Sequence, residues 1–176
     1  MIDFAQDYFS LFELPRAYAV DVEALERAYR KRQSAVHPDR HATADDADKR
    51  LALQASSRVN EAYRTLLDPI HRAEYLLALE GIEAAKETDS TLTPDFLEEQ
   101  LERREALADA RSAKDGAKLA ALLDEIGRAS ESLETSLAGE LDASRFDAAL
   151  ALVGKLKFMR KLACDANDAL ADLDTE

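Results

Sequence analysis

Apolar side chains recur every three or four residues along most of the chain, which is the spacing of one face of an α-helix. Capping residues such as Asp21 and Thr93 stand before apolar runs, and helix stops such as Pro38, Pro69 and Gly81 stand after them. The pattern predicts an all-α protein. Its predicted helices span residues 7–14, 22–36, about 45–67, 71–79, 93–113, 117–138 and 143–173.

The predicted helices fall into two groups on either side of a break near residue 80. The first group is a helical hairpin with short flanking helices. The last three helices have short connections, which favours an antiparallel three-helix bundle. Charge changes at the same place, since residues 1–80 carry 11 basic and 14 acidic side chains whereas 81–176 carry 12 and 22. We predict a domain at 1–80, a linker at 81–92 and the bundle at 93–176.

Composition narrows the possible functions. Acidic side chains outnumber basic ones by 36 to 23, and the formal charge of −13 argues against nucleic acid as a partner, because phosphate binding needs a basic face. Five glycines and four prolines are too few for a many-turned β-sandwich or barrel. No apolar run approaches about 18 residues, so no membrane association is predicted. The expected partner is a protein.

The chain has one cysteine, Cys164, which excludes an internal disulfide and a cysteine-based zinc site. No basic residue follows it in the next turn, so we expect a buried, unreactive thiol. His37 and His41 are four residues apart, but Pro38 between them disfavours the helix that would let both chelate a metal. No metal or other cofactor is predicted. The first residues lack the features of a signal or transit peptide, so a reducing, cytoplasmic location is expected.

The tripeptide His37-Pro38-Asp39 stands in the turn between the two helices of the predicted hairpin. Pro38 has a restricted backbone and stiffens the turn, which holds His37 and Asp39 outward for a partner's polar crevice. Basic side chains crowd the preceding helix, where they would speed encounter with an acidic partner. They are Arg27, Arg30, Lys31 and Arg32.

This combination resembles a J-domain, the module that activates ATP-hydrolysing DnaK-type chaperones. The resemblance implies a chaperone-binding site formed by His37, Pro38, Asp39, Arg27, Arg30 and Lys31. Two simpler interpretations stay open. The tripeptide could be a proline-stopped turn, and the arginines could form i,i+4 pairs with Glu23 and Glu26 on a solvated face.

Two longer motifs are more specific than the tripeptide. They are Arg72-Ala73-Glu74-Tyr75-Leu76-Leu77, and Phe96-Leu97 followed by Glu99-Gln100-Leu101-Glu102. Shorter motifs accompany them: Tyr8-Phe9-Ser10-Leu11-Phe12 with Leu14-Pro15, Asn60-Glu61-Ala62-Tyr63 with Thr65-Leu66, Arg104-Glu105, and Lys155-Leu156-Lys157-Phe158. With these motifs, nearly the whole chain resembles the HscB family of J-type co-chaperones of iron–sulfur cluster assembly.

The resemblance implies a non-enzymatic co-chaperone. In such a protein the bundle binds an IscU-like iron–sulfur scaffold and delivers it to an HscA-like chaperone, whose ATPase the J-domain stimulates so that cluster transfer is promoted. The scaffold surface implied by the family falls on Leu97, Leu101, Glu102, Glu105, Asp109 and Phe158. Glu98 belongs to the same predicted surface, but the family often has an apolar residue there, so the apolar patch is smaller.

Helical spacing supports this surface independently of the family. Glu98, Glu102, Glu105 and Asp109 follow one another at intervals of four, three and four residues, so they share one face of a helix. Leu97 and Leu101 lie beside them, where a purely solvated face needs no leucines. The alternative is that both leucines belong to the bundle core and the acids are ordinary surface.

Other functions remain to be compared with the co-chaperone. The nearest keeps the J-domain and gives the acidic bundle a different client protein. A hydrolase with His37 as base and Asp39 or Asp45 as its orienting group would need a Ser or Cys nucleophile in a sharp turn, which does not accompany them. A purely structural bundle would leave both the tripeptide and the acidic face without a role.

Overall fold

The computed structural model describes residues 3–36, 46–82 and 92–174. Within these ranges all regular structure is helical and no β-strand occurs, which confirms the predicted all-α fold. The described helices are α1 (Tyr8–Leu11), α2 (Val22–Val36), α3 (Asp46–Leu67), α4 (Pro69–Leu79), α5 (Pro94–Ser112), α6 (Gly116–Asp142) and α7 (Phe146–Asp174). The predicted chaperone-binding tripeptide at 37–39 and most of the predicted linker lie outside the described residues.

The chain divides into two compact units, Met1–Glu80 and Gly81–Glu176. The first contains α1 to α4 and the second contains α5 to α7. Helix α2 occupies the predicted residues, and the other helices differ from prediction by a few residues at their ends. The largest relative difference is at α1, which ends at Leu11 because Glu13 has a left-handed backbone (φ 59°) that a helix does not accept.

In the first unit, the hairpin of α2 and α3 buries a continuous apolar seam that includes Leu25 and Leu66, both fully buried. Aromatic stacking also joins the two helices, since the ring centroids of Tyr29 and Tyr63 lie 4.1 Å apart. The Tyr29 hydroxyl also donates to Asn60 Oδ1 at 2.9 Å. These two contacts join facing helices at one level, so they set the register in which α2 and α3 pack.

Helix α1 is short and depends on contacts outside its own backbone. The Asp7 side chain caps it by accepting from the Ser10 amide at 2.9 Å. Burial by itself raises the pKa of the Asp7 carboxyl, but hydrogen bonds from Ser10 and the Phe9 amide, together with the charge of Arg16, outweigh burial and hold that pKa below its ordinary value. The next residue, Tyr8, stacks on Tyr75 with ring centroids 4.3 Å apart. Burial and then the Glu61 carboxylate raise the pKa of Tyr8 to about 12, so its ring stays neutral in place.

Arg72 is a buried cation with a structural role in the first unit. Its Nη1 donates to the Leu66 carbonyl at 2.6 Å, and that carbonyl belongs to the last turn of α3, where helical partners run out. The guanidinium also lies over the Tyr18 ring, 4.9 Å from its centroid. Arg72 therefore closes the end of α3 against α4 and the loop that carries Tyr18.

The second unit is the predicted bundle. Helices α6 and α7 pack along their length, and α5 lies against them. The helix connections at Lys114 and Ser144 are tight, since both residues have left-handed backbones at the helix ends (φ 51° and 56°). Asp115 then caps α6 by accepting from the Lys118 amide at 3.0 Å. The core consists of Phe96 and Ala110 of α5, Leu119, Leu122, Ile126 and Leu137 of α6, and Ala149, Val153, Leu156, Met159, Leu162, Ala166 and Ala169 of α7.

The prediction of a buried Cys164 is wrong, because its side chain is exposed. The buried residues of α7 include Leu162 and Ala166, one turn apart. Cys164 lies midway between them along the chain and so projects from the opposite side of the helix. No described helix is both long and apolar enough to cross a membrane.

Candidate partner-binding surfaces

Three of the four basic residues of α2 are exposed, and two of these three form ion pairs within the helix. Arg27 pairs with Glu23 at 3.5 Å and Arg30 pairs with Glu26 at 3.0 Å. These are the i,i+4 pairs that the simpler interpretation predicted. Exposed pairs of this kind contribute only about 0–1 kcal/mol, so either arginine could exchange its glutamate for a partner's carboxylate at small cost. Lys31 is also exposed.

Arg32 differs from its basic neighbours because it points to another part of the unit. Its Nη2 lies 2.8 Å from the Glu13 carboxylate. The pair ties α2 to the turn after α1, where Glu13 has its left-handed backbone. Arg32 is therefore a structural contact, and Arg27, Arg30 and Lys31 are the basic side chains left on the outer face.

On α5, the two predicted leucines are on the outside of the bundle. Leu97 is 44% exposed and Leu101 is 58% exposed. Among the described residues of the second unit, they are the large apolar side chains with the greatest exposure. The alternative that both belong to the bundle core is therefore wrong, and the two leucines, on successive turns of α5, form an apolar patch open to solvent.

The four predicted acids flank that patch. Glu98, Glu102, Glu105 and Asp109 are all exposed, and none has an ion pair with another residue in the described ranges. Four carboxylates along one helical face repel one another. We call these residues the acidic stripe. It is a strongly acidic, solvent-exposed face of α5.

Phe158 of α7 reaches α5 through an aromatic contact. Its ring meets the Phe96 ring edge to face, with centroids 6.1 Å apart and planes at 81°. Phe96 is buried and directly precedes Leu97, so the contact places Phe158 at the turn of α5 where the apolar patch begins. Phe158 remains partly exposed. The structure thus brings together residues from two helices that the sequence separates by about sixty positions.

Sequence reasoning assigned no role to Arg104, although it lies in the same region. The Arg104 guanidinium carbon is 4.6 Å from the centroid of the Phe158 ring. A second cation, Lys155 of α7, has its Nζ 5.1 Å from the centroid of the Phe96 ring. Helical spacing alone could have placed Arg104 near Leu101, three residues earlier, but the contact with α7 could not be read from one helix.

The inner face of α5 is more polar than an ordinary core face. Gln100 is 1% exposed, and neither of its amide atoms has a hydrogen-bond partner among the described residues. Arg103 is also turned inward and pairs with Glu99 at 3.2 Å and with Glu125 of α6 at 3.0 Å. Helix α5 is therefore held partly by polar contacts while two of its leucines face solvent.

A hairpin unit with a basic outer helix, followed by a three-helix bundle with an exposed apolar and acidic face, is the architecture of J-domain proteins with an appended C-terminal helical bundle. Comparison with known families agrees in both units. The DnaJ domain family matches residues 7–75, and the family described as HSCB C-terminal oligomerisation domain matches residues 92–167. The chain belongs to the HscB family of co-chaperones, which serve iron–sulfur cluster assembly.

Individual relatives match over nearly their full length. The chain is 42% identical to the co-chaperone protein HscB homolog of Paraburkholderia phymatum over 99% of each chain. It is 46% identical to the homolog of Ralstonia nicotianae, covering 95% of this chain and 96% of the relative. Among solved structures, chaperone HscB from Vibrio cholerae has a TM-score of 0.87 at 37% identity, covering 96% of this chain and 99% of that one. Human co-chaperone protein HscB has a TM-score of 0.89 at 29% identity, covering 94% and 83%.

Proposed function

We propose that this protein carries an IscU-like iron–sulfur scaffold to an HscA-type chaperone and stimulates the chaperone's ATPase. The scaffold binds the outer face of α5 together with Phe158. The chaperone binds His37, Pro38 and Asp39 and the basic residues Arg27, Arg30 and Lys31. The protein catalyses no covalent step itself, since its part is to bring two partners together.

The observation that carries the proposal is the exposed pair Leu97 and Leu101 beside the acidic stripe. Burying the two leucines under a partner removes apolar surface from water, which is the main favourable term in association. The acidic stripe adds direction, because a partner surface with Lys, Arg or amide donors is attracted and an acidic one is repelled. An apolar centre with a charged border is the usual anatomy of a specific protein interface.

The chaperone half of the proposal is supported by the basic side of α2. Arg27 and Arg30 are held only by weak exposed pairs, and Lys31 is exposed beside them. A positive helix face raises the rate of encounter with an acidic ATPase surface more than it raises affinity. The tripeptide at 37–39 directly follows Val36, the last residue of α2, so the basic residues and the tripeptide belong to one continuous segment of the chain.

Steady-state ATPase measurements test the whole proposal. The rate of an HscA-type chaperone is measured alone, with this protein, with the scaffold, and with both. We expect the two additions to act synergistically, because the protein binds both partners at separate sites. Additive effects would favour the alternative in which the bundle serves another client, and pull-down of the scaffold by the purified full chain would check that alternative directly.

The acidic stripe gives a kinetic prediction. Glu102→Gln combined with Glu105→Gln is expected to slow association with the scaffold by roughly 3- to 30-fold at low salt and to flatten its dependence on ionic strength. Dissociation should change less, because long-range charge acts before the short-range contacts form. Stopped-flow or surface-plasmon kinetics at several salt concentrations would measure both rates.

The matched control for this prediction removes two charges from another face of the bundle. Asp124→Asn with Glu131→Gln neutralises two exposed carboxylates of α6 and changes the net charge by the same amount. We expect the control to retain most of the wild-type association rate. Equal rates for the two double variants at every salt concentration would show that only net charge matters and that the stripe has no special role.

A further inference from the structure

Phe158 is held between two different groups of α5. The edge-to-face contact with Phe96 lies on one side, at 6.1 Å between centroids. The guanidinium of Arg104 lies over the ring face, 4.6 Å from its centroid. A phenylalanine ring rotates about two side-chain bonds, and a planar cation on its face restricts that rotation through attraction to the ring's negative face. The two contacts together define one orientation of the ring.

Arg104 lies in the middle of the surface proposed for the scaffold. Leu97, Leu101, Arg104 and Ala108 follow at intervals of four, three and four residues, the same spacing as the acidic stripe. They therefore form a second row along α5, next to the stripe. All four residues of this row are exposed. Arg104 is the positively charged residue of this row, and it lies about one helical turn after Leu101.

The contacts of Arg104 differ from those of the neighbouring arginine. Arg103 is mostly buried and pairs with Glu99 and Glu125. Arg104 has no ion pair within the described residues although four carboxylates occupy the adjacent face, and its guanidinium lies on Phe158. Arg104 is thus exposed beside acids, yet its guanidinium contacts an aromatic ring instead of a carboxylate. This contact gives Arg104 a specific position on the surface.

We propose that Arg104 is a positioning residue of the scaffold surface, which fixes the Phe158 ring so that it extends the apolar patch of Leu97 and Leu101. The inference rests on the proposed function. Arginine suits the role better than lysine because its planar group stacks on a ring, whereas an ammonium is a compact and strongly hydrated charge. Nothing in the acidic stripe substitutes for it, since carboxylates are repelled by the ring face.

The proposal and a simple charge effect predict opposite results. If Arg104 were only a surface charge, Arg104→Ala would make the protein more acidic and speed association with a basic scaffold surface. If Arg104 positions Phe158, Arg104→Ala should speed dissociation and weaken affinity by about 2- to 30-fold, the range that cation–π contacts correspond to. Arg104→Lys should fall between wild type and Arg104→Ala.

The experiment measures scaffold binding kinetics and the Phe158 ring in parallel. A purified IscU-like scaffold is the probe, and Arg128→Ala on α6 is the control that removes an exposed positive charge elsewhere. A double-mutant cycle of Arg104→Ala and Phe158→Ala tests whether Arg104 acts through the ring; we expect little further loss when Arg104 is removed from the Phe158→Ala protein. Thermal melts confirm that each variant is folded.

A fluorine label on phenylalanine reports the ring in the free protein. The chain has six phenylalanines, and Phe158→Leu identifies the resonance of interest. We expect Arg104→Ala to shift or broaden that resonance and Arg128→Ala to leave it unchanged. An unchanged resonance together with an additive cycle would overturn the role of Arg104. Wild-type protein that binds no scaffold would overturn the proposed function and this inference with it, and the two failures are distinguished by whether the wild-type protein binds.

Discussion

The variant His37→Gln is expected to lose all stimulation of the partner chaperone's ATPase, so that the rate falls to the basal value of the chaperone alone, while scaffold affinity stays unchanged. The physical reason is that the two activities use different surfaces. The proposed chaperone site belongs to the first compact unit, and the proposed scaffold surface lies on α5 and α7 of the second. A glutamine keeps hydrogen-bonding groups but not the imidazole ring, so the loss reports recognition of that ring.

The same substitution four residues later provides the control. His41→Gln changes the same chemical group in the same predicted turn, and we expect it to retain stimulation. ATPase assays measure stimulation, and calorimetry with the scaffold measures affinity. A His37→Gln protein that loses scaffold affinity but still stimulates the chaperone would contradict the assignment of the two sites.

The sequence predicted the helices well where local signals agree. Helix α2 has Asp21 before it, a strong apolar period and Pro38 after it, and it forms over the predicted residues. The beginning of α6 was predicted to within one residue, but its end was not, since the helix continues past the predicted residue 138 to Asp142. The turn that follows depends on the left-handed backbone of Ser144, which is not a glycine, so the sequence carries no mark of this conformation.

The sequence alone could not decide which face of α5 is buried. Its leucines are the obvious core candidates by hydrophobicity, yet Leu97 and Leu101 are exposed whereas Gln100 is buried. The bundle makes this choice through Phe96 and through the pair of Arg103 with Glu125 on α6. Such contacts join distant parts of the chain, so no pattern within one helix contains them.

The site was predictable to a different extent on each helix. The acidic stripe could be found from spacing alone, because its members share a single helix. Phe158 was assigned only through the family resemblance, and its contact with Arg104 was not anticipated. The prediction for Cys164 was wrong, because a small side chain among alanines gives no reliable sign of the helix face on which it lies.

Leu101→Ala and Leu97→Ala are expected to weaken scaffold binding strongly and to leave the bundle folded. Apolar anchors at an interface lose about 1–4 kcal/mol on truncation, which corresponds to roughly 5- to 1,000-fold in affinity. Leu101 is the more exposed of the two, at 58% against 44%, so it has more surface to bury under a partner. The expected change in melting temperature is small because neither side chain fills the core.

Leu119→Ala is the matched control, since it makes the same truncation at a fully buried leucine of α6. Removing a core leucine costs about 2–5 kcal/mol of folding free energy, and each kcal/mol lowers the melting temperature of a domain of this size by about 4–8 °C. Affinity per folded molecule should stay near wild type. The α5 variants are thus expected to lower affinity with little change in stability, whereas Leu119→Ala is expected to lower stability with little change in affinity. A Leu101→Ala protein that melts as early as Leu119→Ala, with unchanged affinity per folded molecule, would return the leucine to the core and remove the apolar centre from the proposed scaffold surface.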